Sequence, residues 1–235
     1  MEISGSGNFP GGDYNEEIAI SGSGNVNGNA SCTGLSISGS GYVNGNMFCK
    51  GNAKISGSGT VDGNLEAIEV AISGSGKVNG TIKCEKCFVS GMMNTESITT
   101  NELNVSGMIN VGGDISAEDA IIHGAVNADG LINAERIDII FDSASRADSI
   151  GGSQVKIRRK GVISGLISKL FKGQNADCFQ VQGSIEGDVI DIEYVMADSV
   201  IGNEINIGEG CRIGSVTCTG TINVSPDAVV ESLQK

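Results

Sequence analysis

The sequence predicts an all-β protein, a right-handed parallel β-helix (solenoid) with coils of about 17 residues and a basic amphipathic insertion. Three observations predict it: a repeat at fixed spacing, a two-residue apolar alternation inside each repeat, and a composition rich in glycine and poor in aromatic residues. Ile-Ser-Gly-Ser-Gly begins at Ile3, Ile20, Ile37, Ile55 and Ile72, at intervals of 17, 17, 18 and 17, and Val89, Val105 and Ile122 carry the phase onward at 17, 16 and 17. A fixed period of this length is the mark of stacked structural repeats. Within one repeat, Ile20, Gly22, Gly24, Val26, Gly28, Ala30 and Cys32 keep the alternation of a strand before the pattern skips to Leu35 and Ile37. A flexible Ser-Gly linker has no reason to hold apolar residues in register. A repeat of this length at about 3.3 Å per residue makes roughly 56 Å of path, which suits one circuit of a three-faced coil, and circuits would stack at about 4.8 Å.

A second signal travels with the first. Val-Asn-Gly-Asn occurs at Val26 and Val43, Val-Asp-Gly-Asn at Val61 and Val-Asn-Gly-Thr at Val78. Asn-Gly and Asp-Gly tolerate positive φ and can turn the chain at a corner, so Asn27, Asn44, Asp62 and Asn79 are expected to stack above one another. Crossovers between parallel strands are strongly right-handed, which sets the expected hand. Ile207-Gly208 followed by Ile213-Gly214 hints at a left-handed hexapeptide helix, but two hexads stand against eight repeats of the longer period.

Ile139 and Ile157 continue the phase at 17 and 18; the period then breaks and resumes near Val181, with Val189, Ile205 and Ile222 spaced 16 and 17. The expected organisation is therefore β-helix coils over 1–157, a basic amphipathic insertion over 158–176, and C-terminal coils over 177–235. One solenoid of about twelve coils is the simpler arrangement, with two separate stacks, 1–157 and 177–235, as the alternative.

The composition narrows the function. Of 235 residues 39% are apolar, but only 4% are aromatic, none is Trp and 36 are Gly, so the core must be a thin layer of small aliphatic side chains rather than the pocket of an aromatic-rich enzyme. No run of eighteen apolar residues and no secretory leader stands in the sequence, and the expected location is cytoplasmic. The seven Cys, an odd number without compact spacing, read as thiols of a reducing compartment. The net charge of −13 argues against wrapping nucleic acid. It also hides an asymmetry: Lys156, Arg158, Arg159, Lys160, Lys169 and Lys172 place +6 in one short segment, leaving nine basic against 28 acidic residues, or −19, elsewhere.

Most of the candidate chemistry fails on its own terms. Cys84 and Cys87 form half a zinc site without a second half, and Cys32, Cys49, Ala67 and Cys84 are better explained as one inner column of small side chains. His123 occupies the Ser position of the repeat and should point outward, which suits neither a catalytic base nor a hexapeptide acyltransferase. Asp188, Asp191 and Glu193 could mimic a calcium or glycosidase cluster, yet they lack the Asp-x-Asp-x-Asp-Gly spacing and any sugar-stacking aromatics. The Ser-Gly-Ser-Gly loops resemble phosphate-cradling loops in composition only. No cofactor, metal or small-molecule substrate is expected.

The insertion is more informative. On a helical wheel Val162, Ile163, Leu166, Ile167, Leu170 and Phe171 fill one half, while Ser164, Gly165, Ser168, Lys169 and Lys172 fill the other. Such a helix can lie in an anionic membrane surface with Lys156, Arg158, Arg159, Lys160, Lys169 and Lys172 supplying attraction and Ile163, Leu166, Ile167, Leu170 and Phe171 inserting. It can equally pack on the solenoid or cap one end; nucleic acid and a protein groove are weaker readings.

The Ile-Ser-Gly-Ser-Gly-x-Val-Asn-Gly coils resemble those of bactofilins and related bacterial polymer-forming cytoskeletal proteins. The stretch Ala197-Asp198-Ser199-Val200-Ile201-Gly202, with Ile207-Gly208-Glu209-Gly210-Cys211-Arg212-Ile213-Gly214 after it, is similar to a longer branch of that group. The resemblance covers most of the chain outside 158–176, and the mid-chain basic insertion departs from the compact pattern. It implies a right-handed β-helix joined end to end into nucleotide-independent filaments, often at the inner membrane face. The expected partners are other copies of the chain and an anionic membrane surface. Because the repeat starts almost at Met1, Ile3, Ile18 and Ile20 are expected end contacts, with Val224, Val229 and Val230 at the other end. A β-helical enzyme acting on a cell-envelope polysaccharide is the alternative from another class.

Overall fold

The computed structural model describes residues 1–161 and 178–234. It is all-β, with parallel strands stacked into a β-solenoid whose turns recur about 17 residues apart. Two compact units divide the chain, Met1–Asp119 and Ala120–Lys235.

In the first unit successive circuits align three inner columns, apolar throughout but for Thr95, as a three-faced coil requires. The first column runs Ile3, Ile20, Ile37, Ile55, Ile72, Val89 and Val105, each in parallel register with the next. The second stacks Phe9, Val26, Val43, Val61, Val78, Thr95 and Val111. The third stacks Ala30, Met47, Leu65, Ile82, Ile98 and Ile115. Ile20, Val26 and Leu65 have no exposed surface. The β-branched residues suit a pleated, closely stacked surface, and each buried one contributes on the order of 1.5–3 kcal/mol.

The glycines between these columns are there for close approach. A Cβ at Gly39 would lie 2.1 Å from the Gly22 carbonyl oxygen, and one at Gly57 would lie 2.1 Å from that of Gly39. The corner glycines correct a simpler expectation. Gly28 and Gly45 do adopt positive φ, 112° and 150°. At Gly63 and Gly80 the reason is instead crowding, since a Cβ would fall 2.2 Å from Asn46 Oδ1 and from Asn64 Oδ1 respectively.

Those oxygens belong to a ladder that the first Asn of each motif does not make. Asn29 Oδ1 accepts from the Asn46 N–H at 2.8 Å, Asn46 Oδ1 from the Asn64 N–H at 2.8 Å, and Asn64 Oδ1 from the Thr81 N–H at 2.9 Å. The expected stack is present beside it: Asn27 pairs with Asn44 in register, and Asn79 Nδ2 donates to Asp62 Oδ1 at 2.7 Å. Side-chain amides thereby satisfy backbone donors where the chain turns away from the sheet.

The second unit uses the same plan with looser spacing. Ile139, Ile157, Ile192, Ile207 and Val224 form one column, and Ile137, Val155, Ile190, Ile205 and Ile222 form its neighbour. A third runs Ile132, Ile150, Ile185, Val200, Val216 and Leu233. The expected phase through Val189 is off by one: Val189 pairs with Glu204 and is 42% exposed, while Ile190 takes the inner position. Ile207 and Ile213 do not stack as hexads. They lie on the strands Val195–Ile207 and Arg212–Val224 and meet Val224 and Val230.

The strand Gln154–Arg159 pairs directly with Ser184–Ile192, Lys156 opposite Asp191 and Ile157 opposite Ile192, and Arg146 pairs with Gln180. The coil before the insertion therefore stacks on the coil after it. Arg158 and Arg159 belong to that strand, so the regular structure continues past the boundary expected at 157. The expected amphipathic helix, with Val162 to Lys172, lies outside the described residues.

Candidate functional site

The surfaces that matter are the last described coil and the basic run. In the interior of the second unit Ile205, Ile207, Ile213 and Val216 are all buried. One circuit later the same columns end in Ile222, Val224, Val230 and Leu233, and burial is lost: Val224 is 37% and Leu233 47% exposed, with Ile222 and Val230 half-buried. The strand Val229–Gln234 has the strand Arg212–Val224 on one side only among the described residues. An apolar floor beside an open row of backbone donors and acceptors can accept another coil.

The sequence-predicted contacts sort differently at the two ends. Val224 and Val230 end inner columns, opposite Ile207 and Ile213. Val229 is exposed for another reason, because it sits opposite Arg212 and points to the outer face. Leu233 was missed, although it stands 17 residues after Val216 and so carried the period all along. Ile18 and Ile20 have no exposed surface and lie under the first circuit, where the Ala19 N–H donates to the Met1 carbonyl at 2.8 Å. The expectation that they touch another copy is corrected, since a side chain sealed inside its own stack has nothing to offer. Ile3, 6% exposed, is nearly sealed as well, and Phe9, half-buried at the head of the valine column, is the larger apolar group at that end.

The basic run is more engaged with the solenoid than its composition implied. Arg158 Nη2 donates to Asp191 Oδ2 at 2.6 Å, and Asn206 Nδ2 donates to Asp191 Oδ1 at 2.6 Å. Burial works to raise the Asp191 pKa, but the Arg158 and Asn206 hydrogen bonds and the charges of Arg158 and Lys156 outweigh it and hold the carboxyl below its usual range. Lys160 Nζ lies 3.5 Å from Asp142 Oδ2, and the Arg159 guanidinium stands 5.6 Å from the centre of the Tyr194 ring. Tyr194 holds φ of 54°, and a Cβ on Gly210 would strike its ring at 2.5 Å, so this corner is closely fitted. Lys156 is half-buried on the outer face. Ile163, Leu166, Ile167, Lys169, Leu170, Phe171 and Lys172 lie outside the described residues.

The other candidates are placed as follows. His123 is exposed on the strand Ile115–Ala128. Asp188 lines a groove with Glu186, Gly187, Ile201, Asn203 and Thr219, whereas Asp191 is occupied by Arg158 and Asn206. A carboxyl held ionised by two donors is a poor proton donor. Cys32 and Cys49 do stack, with Sγ atoms 3.7 Å apart, and among the described residues no group of three His, Cys, Asp or Glu could hold a metal ion. No helix among the described residues is long and apolar enough to cross a membrane.

Parallel strands stacked about 17 residues apart on continuous inner columns define a β-solenoid. The chain belongs to the bactofilin family, described as polymer-forming cytoskeletal proteins, which matches residues 2–82 and again 43–133. It is 32% identical over 108 residues to the uncharacterised protein YhbE of Bacillus subtilis strain 168, a match covering 45% of this chain and 43% of YhbE. This chain thus covers less than half of that relative's length. No solved structure matches the chain.

Proposed function

We propose that the chain works as a structural element that assembles with copies of itself, end to end and without nucleotide, into a cytoskeletal polymer or scaffold, and that it does not act as an enzyme. The single observation that carries this reading is the match of residues 2–82 and 43–133 to the polymer-forming bactofilin family, and Ile222, Val224, Val230 and Leu233 on the last described coil are the candidate contacts. Covering such residues stabilises by on the order of 1.5–3 kcal/mol for each side chain fully buried, and a docked coil adds a parallel ladder of hydrogen bonds. Light scattering and negative-stain microscopy of purified protein in ordinary salt, without nucleotide, test it. Wild type should form polymers, and Val224→Glu combined with Leu233→Glu should abolish them while leaving the far-ultraviolet circular dichroism of the folded chain. A wild type that stays monomeric at high concentration, or a double variant that assembles equally well, overturns the reading.

The second part of the proposal places the polymer at an anionic membrane surface, on the cytoplasmic face, through the basic segment. The supporting observation is the charge split between +6 in one segment and −19 in the rest. Lys156, Arg158, Arg159, Lys160, Lys169 and Lys172 supply the attraction in this reading and Ile163, Leu166, Ile167, Leu170 and Phe171 the insertion, with Arg158 and Lys160 also held by Asp191 and Asp142. One short segment binds weakly and is screened by salt, but many linked copies raise its effective concentration at a surface. Co-sedimentation with vesicles should require anionic lipid, fall with salt, and be lost on deleting 162–177 or in Leu166→Glu. Equal binding of all three proteins would exclude it.

A further inference from the structure

We propose that Asn44 is a self-modification site: the Gly45 nitrogen closes on its side chain, ammonia leaves, and water converts the asparagine to aspartate or isoaspartate. Val-Asn-Gly occurs at Val26, Val43 and Val78, so Asn27, Asn44 and Asn79 have the same two neighbours. Glycine after asparagine favours this cyclisation, because no Cβ hinders the attacking nitrogen. With the local sequence held constant, only the fold can distinguish the three sites.

Asn44 is exposed at the end of the strand Ser40–Asn44, and Gly45 lies outside that strand with φ of 150°. Among the described residues nothing accepts from the Gly45 N–H, and the Asn44 side chain makes no hydrogen bond. Both reacting groups are therefore unengaged. Asn79 has neither freedom: its Nδ2 donates to Asp62 Oδ1 at 2.7 Å, and the Gly80 N–H donates to the Gly63 carbonyl at 3.2 Å. Asn27 stands between these cases, exposed but held inside the unbroken strand Ser23–Cys32, in register with Pro10 and Asn44. Asp62, the aspartate of the same ladder, is protected as well. Its Oδ2 accepts from the Tyr42 hydroxyl, and the Gly63 N–H donates to the Gly45 carbonyl at 3.0 Å.

The step balances. The Gly45 nitrogen gives up its proton and bonds to Asn44 Cγ, while the bond from Cγ to Nδ2 breaks and the nitrogen leaves with that proton as ammonia. Water then opens the cyclic imide at either carbonyl. Opening at Cγ restores the backbone with a carboxylate at position 44. Opening at the main-chain carbonyl routes the chain through the former side chain and adds one atom to the backbone.

Either product disturbs the stack. Asn44 is in register with Asn27 and stands beside Asp62, since Val43 pairs with Val61 and the Asp62 N–H donates to the Val43 carbonyl at 2.9 Å. A second carboxylate there faces Asp62 across one coil spacing, and like charges directly opposed destabilise paired strands. An added backbone atom forces a register shift where the corner has no slack, for a Cβ on Gly45 would already lie 2.7 Å from the Asn29 nitrogen.

Full-length protein is aged at neutral pH in heavy-oxygen water, and uptake of the label is mapped by peptide mass spectrometry. Each hydrogen bond that must open first slows the step, so Asn44 should convert at least about tenfold faster than Asn79, with Asn27 between them. In concentrated urea the three rates should converge. The aged fraction carrying the new charge, separated by ion exchange, should unfold at lower urea than fresh protein, and Asn44→Gln, whose longer side chain cyclises slowly, should age without that loss. Equal rates at Asn44 and Asn79 in the folded protein overturn the proposal. So does faster conversion at Asn27 than at Asn44, or an order of rates that persists in urea. A fraction modified at Asn44 that is as stable as fresh protein overturns its effect on the stack.

Discussion

The two units solve one problem, stacking a thin coil on a thin coil, in different ways. Met1–Asp119 repeats its solution almost unchanged: isoleucine over isoleucine, valine over valine, glycine under a carbonyl, asparagine bonding the next backbone donor. Ala120–Lys235 keeps the three columns but lets the coil length drift, with Ile190 to Ile205 at 15 residues where Ile205 to Ile222 takes 17. It compensates with specific pairs: Arg158 on Asp191, Arg146 on Asp129 at 2.5 Å, and an edge-to-face contact of Phe141 with Phe179 at 5.8 Å. The contrast teaches that a strict repeat fixes register by forbidding any extra atom, whereas a degenerate one needs individual side-chain contacts to do so.

The largest effect should come from adding one atom to the strict unit. A Cβ at Gly57 meets backbone 2.1 Å away, which cannot yield as a side chain can, so Gly57→Ala should destabilise by at least about 3 kcal/mol. In the second unit Gly151→Ala should be nearly silent, because its new methyl would meet the Asn133 side chain at 3.4 Å. Urea unfolding of the two variants decides whether the contrast is real; equal losses would erase it.

Deleting core volume should give the next effect. Ile55→Ala removes a sealed link of the isoleucine column and should cost about 3 kcal/mol, while Leu233→Ala at the open end of its column should cost under about 1 kcal/mol, read by the shift in denaturation midpoint. Alkaline titration probes the second unit's core. Burial pushes the Cys211 thiol up to about 11. A thiol raised above its unfolded value stabilises the fold fully below about pH 8.5, and that contribution, about 3 kcal/mol, is lost as pH climbs toward the folded value. Thermal melts between these limits should show the loss, and Cys211→Ala should flatten it.

The smaller effects concern the two kinds of cross-coil bond. Asn46→Ala strands the Asn64 N–H without its acceptor and should cost about 1 kcal/mol. In the second unit the depressed Asp191 carboxyl stabilises the fold above the ordinary aspartate range, and this contribution disappears as pH falls below about 4. Arg158→Gln should weaken that acid dependence by a modest amount, since the pair is partly open to solvent. An unchanged acid limb in melts from neutral pH downward would mean that Arg158 and Asp191 do not couple.

What the sequence by itself determined is the coil. Five Ile-Ser-Gly-Ser-Gly starts at a nearly constant interval leave one way to keep apolar residues in phase, so the period, the three-sided path and the inner columns of residues 1–119 were all legible, as were an outward His123 and the Cys32 and Cys49 stack. The family was legible for the same reason. Tertiary structure alone decided matters that depend on the neighbouring coil rather than on the residue's own motif. It moved the inner position from Val189 to Ile190, because one short coil shifts the phase by an amount no average period reveals. It gave Arg158 to Asp191, 33 residues away, and so took from the basic run a charge that composition had counted as free. It sealed Ile18 and Ile20 beneath the first circuit and left Val224 and Leu233 uncovered on the last described one. The physical reason is common to all three: in a solenoid the sequence sets what each coil presents, but burial and pairing belong to the coil that lies against it.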